Sequence, residues 1–350
     1  LPAVELAALW PIDGIDTLRY NSCGNTSFNV RVRNQGSTAA NDVKVYYYFD
    51  TLSVDSIVLA VSIPAGANED VPLFTRQLMP GRHQLTAVVN SSSDEIHTND
   101  TVSMSFLVRF CGGNYTIAAA NANYHSFGEA IDTLNVAGIE GPVTFSVAEG
   151  TYEEQVVLNT VRGTSDVNTV KFIGTGDNVL LTAATTQDNN YVFMLDSASN
   201  VKLSRFRIEA RPTATGNAGN YANALVMQKG SNLVLDSITL RVKGAVNNAN
   251  ASCLVLGENL SDLTIRNCTL DSGFYSIKAA TTAEGYNNVR IRENRFTNFW
   301  KVGVYLRSVN TLLFKSSLIH SGSSIANRSL NVLYISQTSG DFRVEKNQIY

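Results

Sequence analysis

Charge is what this sequence has least of. Only 16% of its 350 residues are Asp, Glu, Lys or Arg, and the net charge is −3; an average soluble domain carries about a quarter. No basic stretch offers a footprint for nucleic acid, and there is no polyacidic tail. No apolar run approaches the length needed to span a bilayer. The four cysteines (Cys23, Cys111, Cys253, Cys268) include no CxxC pair. The four histidines (His83, His97, His125, His320) are scattered without ligand spacing, so no metal site is expected. Gly174-Thr-Gly176 lacks the third glycine and following helix of a nucleotide loop, and there is no Gly-x-Ser-x-Gly elbow. No cofactor is expected.

Asn, Ser, Thr and Gly stand where charge is missing, a composition that favours turns and β-structure. From about residue 191 onward one pattern recurs: Val201-Lys-Leu203…Ile208, Leu233-Val-Leu235…Leu240, Leu263-Thr-Ile265…Leu270, Val289-Arg-Ile291…Phe296, Leu312-Leu-Phe314…Ile319 and Phe342-Arg-Val344…Ile349. Its first members are 32, 30, 26, 23 and 30 residues apart. A repeat of this length signals stacked units, and the period-two interior makes each unit a strand. A second apolar pair precedes each: Phe193/Leu195, Leu225/Met227, Leu254/Leu256, Ile277/Ala279, Val304/Leu306 and Leu333/Ile335. The expected inward columns are Leu203–Leu235–Ile265–Ile291–Phe314–Val344 and Leu225–Leu254–Ile277–Val304–Leu333. One further register holds Phe206, Ile238, Cys268, Asn294, Ser317 and Asn347, where asparagine can bond turn backbone and its own kind in neighbouring coils.

Residues 1–111 lack the repeat. Strand-like runs at Ser27–Arg33, Val43–Phe49, Ser56–Ile63, Gln84–Val89 and Val102–Val108, punctuated by Asn34-Gln-Gly36, Pro64-Ala-Gly66 and Pro80-Gly81, predict an immunoglobulin-like sandwich. The stretch "FNVRVRNQGSTAANDVKVYYYFD" resembles adhesion-related sandwich modules of bacterial surface proteins, in which the Asn-x-Gly turn links two strands. Cys23 precedes the early strands and Cys111 follows the last, so a bridge between them would tie both ends of the sandwich; two unrelated thiols are the alternative. Cys253 and Cys268 read as free core cysteines.

After a linker at Cys111-Gly-Gly-Asn-Tyr115 comes one helical pattern. Ser126-Phe-Gly-Glu129 has the form of a capping box, Phe127, Ala130, Ile131 and Leu134 follow at helical spacing, and Gly138 stops the run. Such a helix would cover the open first coil of a solenoid. The text "YHSFGEAIDTLN…GPVTFSVAEGTYEEQVVL" resembles the N-terminal cap and first coil of right-handed parallel β-helix proteins, pectin methylesterases among them. The expected architecture is all-β: an immunoglobulin-like sandwich over 1–111, then a right-handed parallel β-helix with an N-terminal capping helix over 112–350. The chain starts without methionine and ends at Tyr350 inside a repeat, so a mature product lacking C-terminal coils is expected.

That resemblance implies chemistry the residues do not supply. Pectin methylesterases carry an Asp-Phe-Ile-Phe-Gly marker, polygalacturonases Asp-Asp and Gly-His-Gly elements, and pectate lyases an Arg-x-Pro-x-x-Arg element; none is present. The outward rows Glu209, Arg241, Asp271, Thr297, His320 and Ser204, Asp236, Arg266, Arg292, Lys315, Glu345 read as charge ladders. An Asp271–Arg241 pair for uronate chemistry is the catalytic alternative. No catalytic residue is assigned, and the enzyme question stays open.

Two features point instead to binding. Tyr305 and Tyr334 occupy one outward register on successive coils, with Trp300 and Phe299 in the loop before them, so flat rings there would stack on sugars or anchor a partner. Packing of that loop against the face is the plainer alternative. Asp followed by Ser or Thr and then an apolar residue, an O-glycosylation acceptor pattern of exported bacterial proteins, occurs at Thr17, Thr51, Ser56, Thr101, Thr133, Ser197 and Ser237. Thr133 falls inside the expected helix. Asp-Thr-Leu as an ordinary strand start explains part of the excess. The whole arrangement resembles cargo of the type IX secretion pathway. The resulting reading is an exported, cell-surface adhesin with a glycan or surface component as partner, the secretion machinery as a second partner, and neither nucleic acid nor a membrane span. The alternatives are a polysaccharide lyase, esterase or hydrolase on uronate-containing glycan, or a spacer.

Overall fold

A computed structural model of the chain describes residues 2–10, 24–50, 52–58, 62–213, 221–244, 247–279, 285–321 and 331–350. It divides into two compact units, Leu1–Cys111 and Gly112–Tyr350.

The first unit is a sandwich of two antiparallel sheets. β1 (Leu6–Leu9), β2 (Asn25–Asn34), β3 (Lys44–Phe49), β4 (Leu52–Val58), β5 (Asn68–Gln77), β6 (Gly81–Asn90) and β7 (Thr101–Val108) pair in the orders β1-β2-β5 and β4-β3-β6-β7. Alternation along β2 buries Phe28, Val30 and Val32, which meet Val45, Leu85, Ala87 and Phe106 of the other sheet. The Asn34-Gln-Gly36 turn therefore does not join paired strands: it starts the crossing from one sheet to the other. Asn34 is buried there, donating to the Thr38 and Ile63 carbonyls and accepting from Gly36 N. A Cβ at Gly36 would lie 2.6 Å from the Ala3 carbonyl oxygen, so no larger residue fits. Strand β5 went unread in the sequence because Pro72 and three exposed polar residues interrupt its pattern; Pro72 sits at the register shift opposite Phe28/Asn29, where a missing N–H is tolerated. The run expected at Ser56–Ile63 is displaced: the strand ends at Val58, and Ile63 forms only an isolated bridge with Ala40. Cys111 is disulfide-bonded, while Cys253 and Cys268 are free and buried; Cys23 lies outside the described residues.

The second unit is a solenoid of three parallel sheets of nine, eight and seven strands. Each coil visits them in turn, as in Val201–Ser204, Arg207–Pro212 and Ala222–Gln228. Both expected columns stand in register, and their members are buried up to Phe314 and Val304. In the last coil Leu333 is half-buried and Val344 exposed, since no further strand covers them. The sequence pattern had merged two strands into one. Its trailing apolar residue (Ile208, Leu240, Leu270, Phe296, Ile319, Ile349) belongs to a separate sheet. The break is a left-handed residue at one repeated position: Arg205, Ser237, Asn267, Glu293, Ser316 and Lys346, with φ between 51° and 59°.

The next residue in each coil is the Phe206–Asn347 register. Asn294 accepts from Cys268 N (2.9 Å) and donates to the Ile265 carbonyl (2.9 Å). Asn347 does the same for Ser317 N and Phe314 O. These asparagines thus clasp the backbone corner of the preceding coil and do not ladder with one another. A side-chain ladder exists at another corner, where Asn232 donates to Asn200 Oδ1 (2.8 Å).

The helix spans Phe127–Ala137 and buries Phe127, Ala130, Ile131, Leu134 and Ala137. Ser126 caps Glu129 N, and the Glu129 carboxylate returns to His125 N. A second carboxylate, Glu154, accepts from Phe127 N and Gly128 N at 2.8 Å each, adding charge to the positive helix end. Phe127 lies against Tyr152, Phe172 and Phe206, so the helix closes the first coils as a plug. Among the described residues no helix is long and apolar enough to cross a membrane.

Candidate functional site

The outward tyrosines are where the sequence puts them but not as a sugar platform would need them. Tyr305 and Tyr334 are register partners whose rings lie 4.8 Å apart and within 8° of parallel. Each covers a face of the other, so successive sugars cannot stack on both. Tyr275 meets the Tyr305 ring at 5.7 Å and 58°, and Lys278 sits over Tyr275. Burial pushes the Tyr275 hydroxyl up and the Lys278 ammonium down from their ordinary pKa values. Trp300 is half-buried, with its backbone N–H donating to the Gly273 carbonyl (2.7 Å), and Phe299 is a core residue. What remains for a ligand is the hydroxyl edge of this stack and one face of Tyr334.

On the eight-stranded sheet, Arg241 bridges Glu209 (3.5 Å) and Asp271 (3.3 Å). Asp271 also accepts from Thr297 (2.9 Å) and Asn298 (2.7 Å), so both its oxygens are already occupied. These contacts form a charge ladder in which Asp271 is held on both oxygens.

The solvent face of the nine-stranded sheet is different. Two outward rows run Lys171–Lys202–Val234–Thr264–Arg290–Leu313–Arg343 and Ser204–Asp236–Arg266–Arg292–Lys315–Glu345. Together they carry seven cationic side chains against two carboxylates, in a chain whose net charge is −3. Asp236 takes up Lys202 (2.9 Å) and Arg266 (2.8 Å). Burial opposes its ionisation, but hydrogen bonds from Lys202, Arg266 and Asn267 prevail and hold its pKa below the usual carboxylate range. Among the described residues Arg290, Lys315 and Arg343 make no ion pair. Arg266, Arg290, Arg292 and Lys315 line a concavity of about 350 Å³ with Val234, Thr264 and Leu313. The sequence reading missed this face because it followed only one of the two rows, where carboxylates stand at both ends of three cations; the further signal was in Arg290 and Arg343 one register over.

Residues 19–137 match the CARDB family model. The match takes in most of the sandwich and runs to the end of the helix. No curated protein matches the chain. Among solved structures, the CARDB domain of the PF1109 protein from Pyrococcus furiosus, in complex with di-metal ions, is similar at 15% identity and a TM-score of 0.25, over 31% of this chain and 96% of that one. The pectin methylesterase of Aspergillus niger is similar at 16% identity and a TM-score of 0.36, over 66% and 87%. Escherichia coli YbhC gives 11% identity and a TM-score of 0.43, over 63% and 67%.

The acceptor-pattern residues scatter. Thr101 is exposed on β7, Ser237 is exposed at a left-handed corner, and Ser197 is half-buried at another. Thr17, Thr51 and the side chain of Ser56 lie outside the described residues.

One cluster was not expected at all. Asp94, His97 and Asp100, three residues apart in the loop between β6 and β7, bring their ligand atoms within 4.8 Å of one another. A spacing of three would bring such residues together on a helix face, but this segment is a loop, and its fold assembles them.

Proposed function

We propose that this chain is an exported adhesin whose solenoid binds an anionic glycan along the basic face of the nine-stranded sheet. The observation that carries the reading is the row of cations at coil spacing, with Arg290, Lys315 and Arg343 making no ion pair among the described residues. Arg266, Arg292 and Lys315 follow one another at the strand spacing of about 4.8 Å, close to the length of one sugar residue. A polyuronate or sulfated chain lying along the solenoid axis would meet about one cation per sugar. Tyr305, Tyr334 and Trp300 enter as a secondary contact on the neighbouring sheet, through hydroxyl edges and one ring face. Export, with the secretion machinery as a passing partner, is supported by the disulfide at Cys111 and by the recurrent Asp-Ser/Thr acceptors, of which Thr101 and Ser237 are accessible.

Immobilised polygalacturonate is expected to retain the protein at low salt and release it as ionic strength shortens the screening length. Arg290→Ala with Lys315→Ala should weaken retention at least tenfold and leave thermal stability nearly unchanged, because both side chains face solvent. Equal retention by the double variant, or equal binding to a neutral glucan, would remove the basic face from the reading. Displacement by duplex DNA in preference to polyuronate would also count against it, and release of unsaturated or reducing ends would make the chain an enzyme.

The bridge between Cys23 and Cys111 belongs to the same proposal. Alkylation of the denatured, non-reduced chain is expected to count two thiols, Cys253 and Cys268. A count of four would exclude it.

A further inference from the structure

Two carboxylates of the first unit are buried close to each other. Asp94 and Asp100 are 7% and 6% exposed. Asp94 accepts from Ile96 N (3.2 Å) and Leu6 N (3.3 Å), which ties the loop to β1 and fixes the carboxylate in place. Asp100 Oδ2 lies 2.9 Å from His97 Nδ1. Its other oxygen, Oδ1, is buried and has no hydrogen-bond partner. Glu5 and Glu95 border the same loop, through Asn99 and the Ala3 N–H, and add to its negative potential. Among the described residues the His97 imidazole is the only basic side chain paired with either aspartate.

Burying two carboxylates side by side with an unused oxygen between them is costly unless a proton or a cation is shared. A shared proton would engage only the two carboxylates. A cation uses all three groups.

We propose that Asp94, His97 and Asp100 form a binding site for a divalent transition cation of the zinc or manganese kind. Two carboxylates and an imidazole suit such ions better than calcium, which takes oxygen ligands throughout. Metal–ligand bonds of about 2.0–2.2 Å require the three ligand atoms to draw closer than they stand. His97 is exposed and supplies that movement, while the two aspartates are already held. Three protein donors leave at least one position for water or for a group from a partner.

The test uses the full chain, stripped with chelator and then titrated with ZnCl2, MnCl2 or CaCl2 by equilibrium dialysis and calorimetry. One Zn2+ or Mn2+ per chain is expected, with Ca2+ at least tenfold weaker. His97→Ala, which removes an exposed side chain, should fold normally and weaken Zn2+ or Mn2+ binding at least tenfold. Asp100→Asn should melt higher than the parent without metal, because the like charge is gone, and should lose the metal-induced rise in Tm. Absence of a bound equivalent would overturn the proposal. So would His97→Ala that binds as the parent does, or metal that raises the Tm of parent and both variants equally.

Discussion

Ile265→Asp is expected to unfold the solenoid around its central coils. Ile265 is fully buried, with Leu235 beneath it and Ile291 above in strict register. A carboxylate there finds no donor, and burying it costs several kcal/mol, or it must take up a proton to stay inside. Loss of the isoleucine packing adds about 2–4 kcal/mol. Domains are stable by only about 5–15 kcal/mol in all. The far-UV signal of parallel strands should weaken, and proteolysis should open the coils between about residues 235 and 291. Melting alongside the parent would mean that this register is not the inward one.

Asn294→Leu should come next in size, and its cause is different. The substitution keeps the number of heavy atoms and the branched shape and adds apolar surface, so burial of apolar area alone predicts no large loss. Asn294, however, is 2% exposed and holds both Cys268 N and the Ile265 carbonyl of the coil before it. Leucine leaves both unpaired, at about 1–3 kcal/mol each. A loss of about 2–5 kcal/mol follows, read as a lower urea midpoint at constant slope. Asn294→Asp gives the internal control. Only its protonated form can donate to Ile265 while accepting from Cys268, so folding raises the pKa of the introduced carboxyl. The stabilising contribution is present at low pH and is lost as pH rises through that raised value.

The parts of this fold legible in the sequence are those where an apolar pair brackets one outward residue, as Val201-Lys-Leu203 does. Two inward positions per strand are enough for a period of two to register. The third sheet escaped because its later strands are short and turn mainly one large residue inward, such as Leu270 in Thr269–Asp271, and a single residue has no period. Asn294 and Asn347 were visible as a register, yet the direction of their bonds depends on a corner whose left-handed turn the sequence does not announce. The tyrosines fared similarly. Their adjacency follows from counting, whereas the parallel stacking that hides their faces follows from χ angles. Charge was the hardest to read, since Arg290 and Arg266 meet across a coil only when two rows are aligned together.

The six left-handed corners carry a consequence for how such a molecule changes partners. Arg205, Ser237, Asn267, Glu293, Ser316 and Lys346 share one backbone conformation, and all six are exposed. That conformation favours asparagine and aspartate and disfavours β-branched residues and proline, but it taxes the remaining residues with a Cβ to a similar degree. Which side chain stands there is therefore almost indifferent to folding. Directly beside the basic rows, the molecule has an edge on which single substitutions can rewrite charge, size and hydrogen bonding coil by coil. Such a border can change its surface chemistry while the scaffold behind it stays the same.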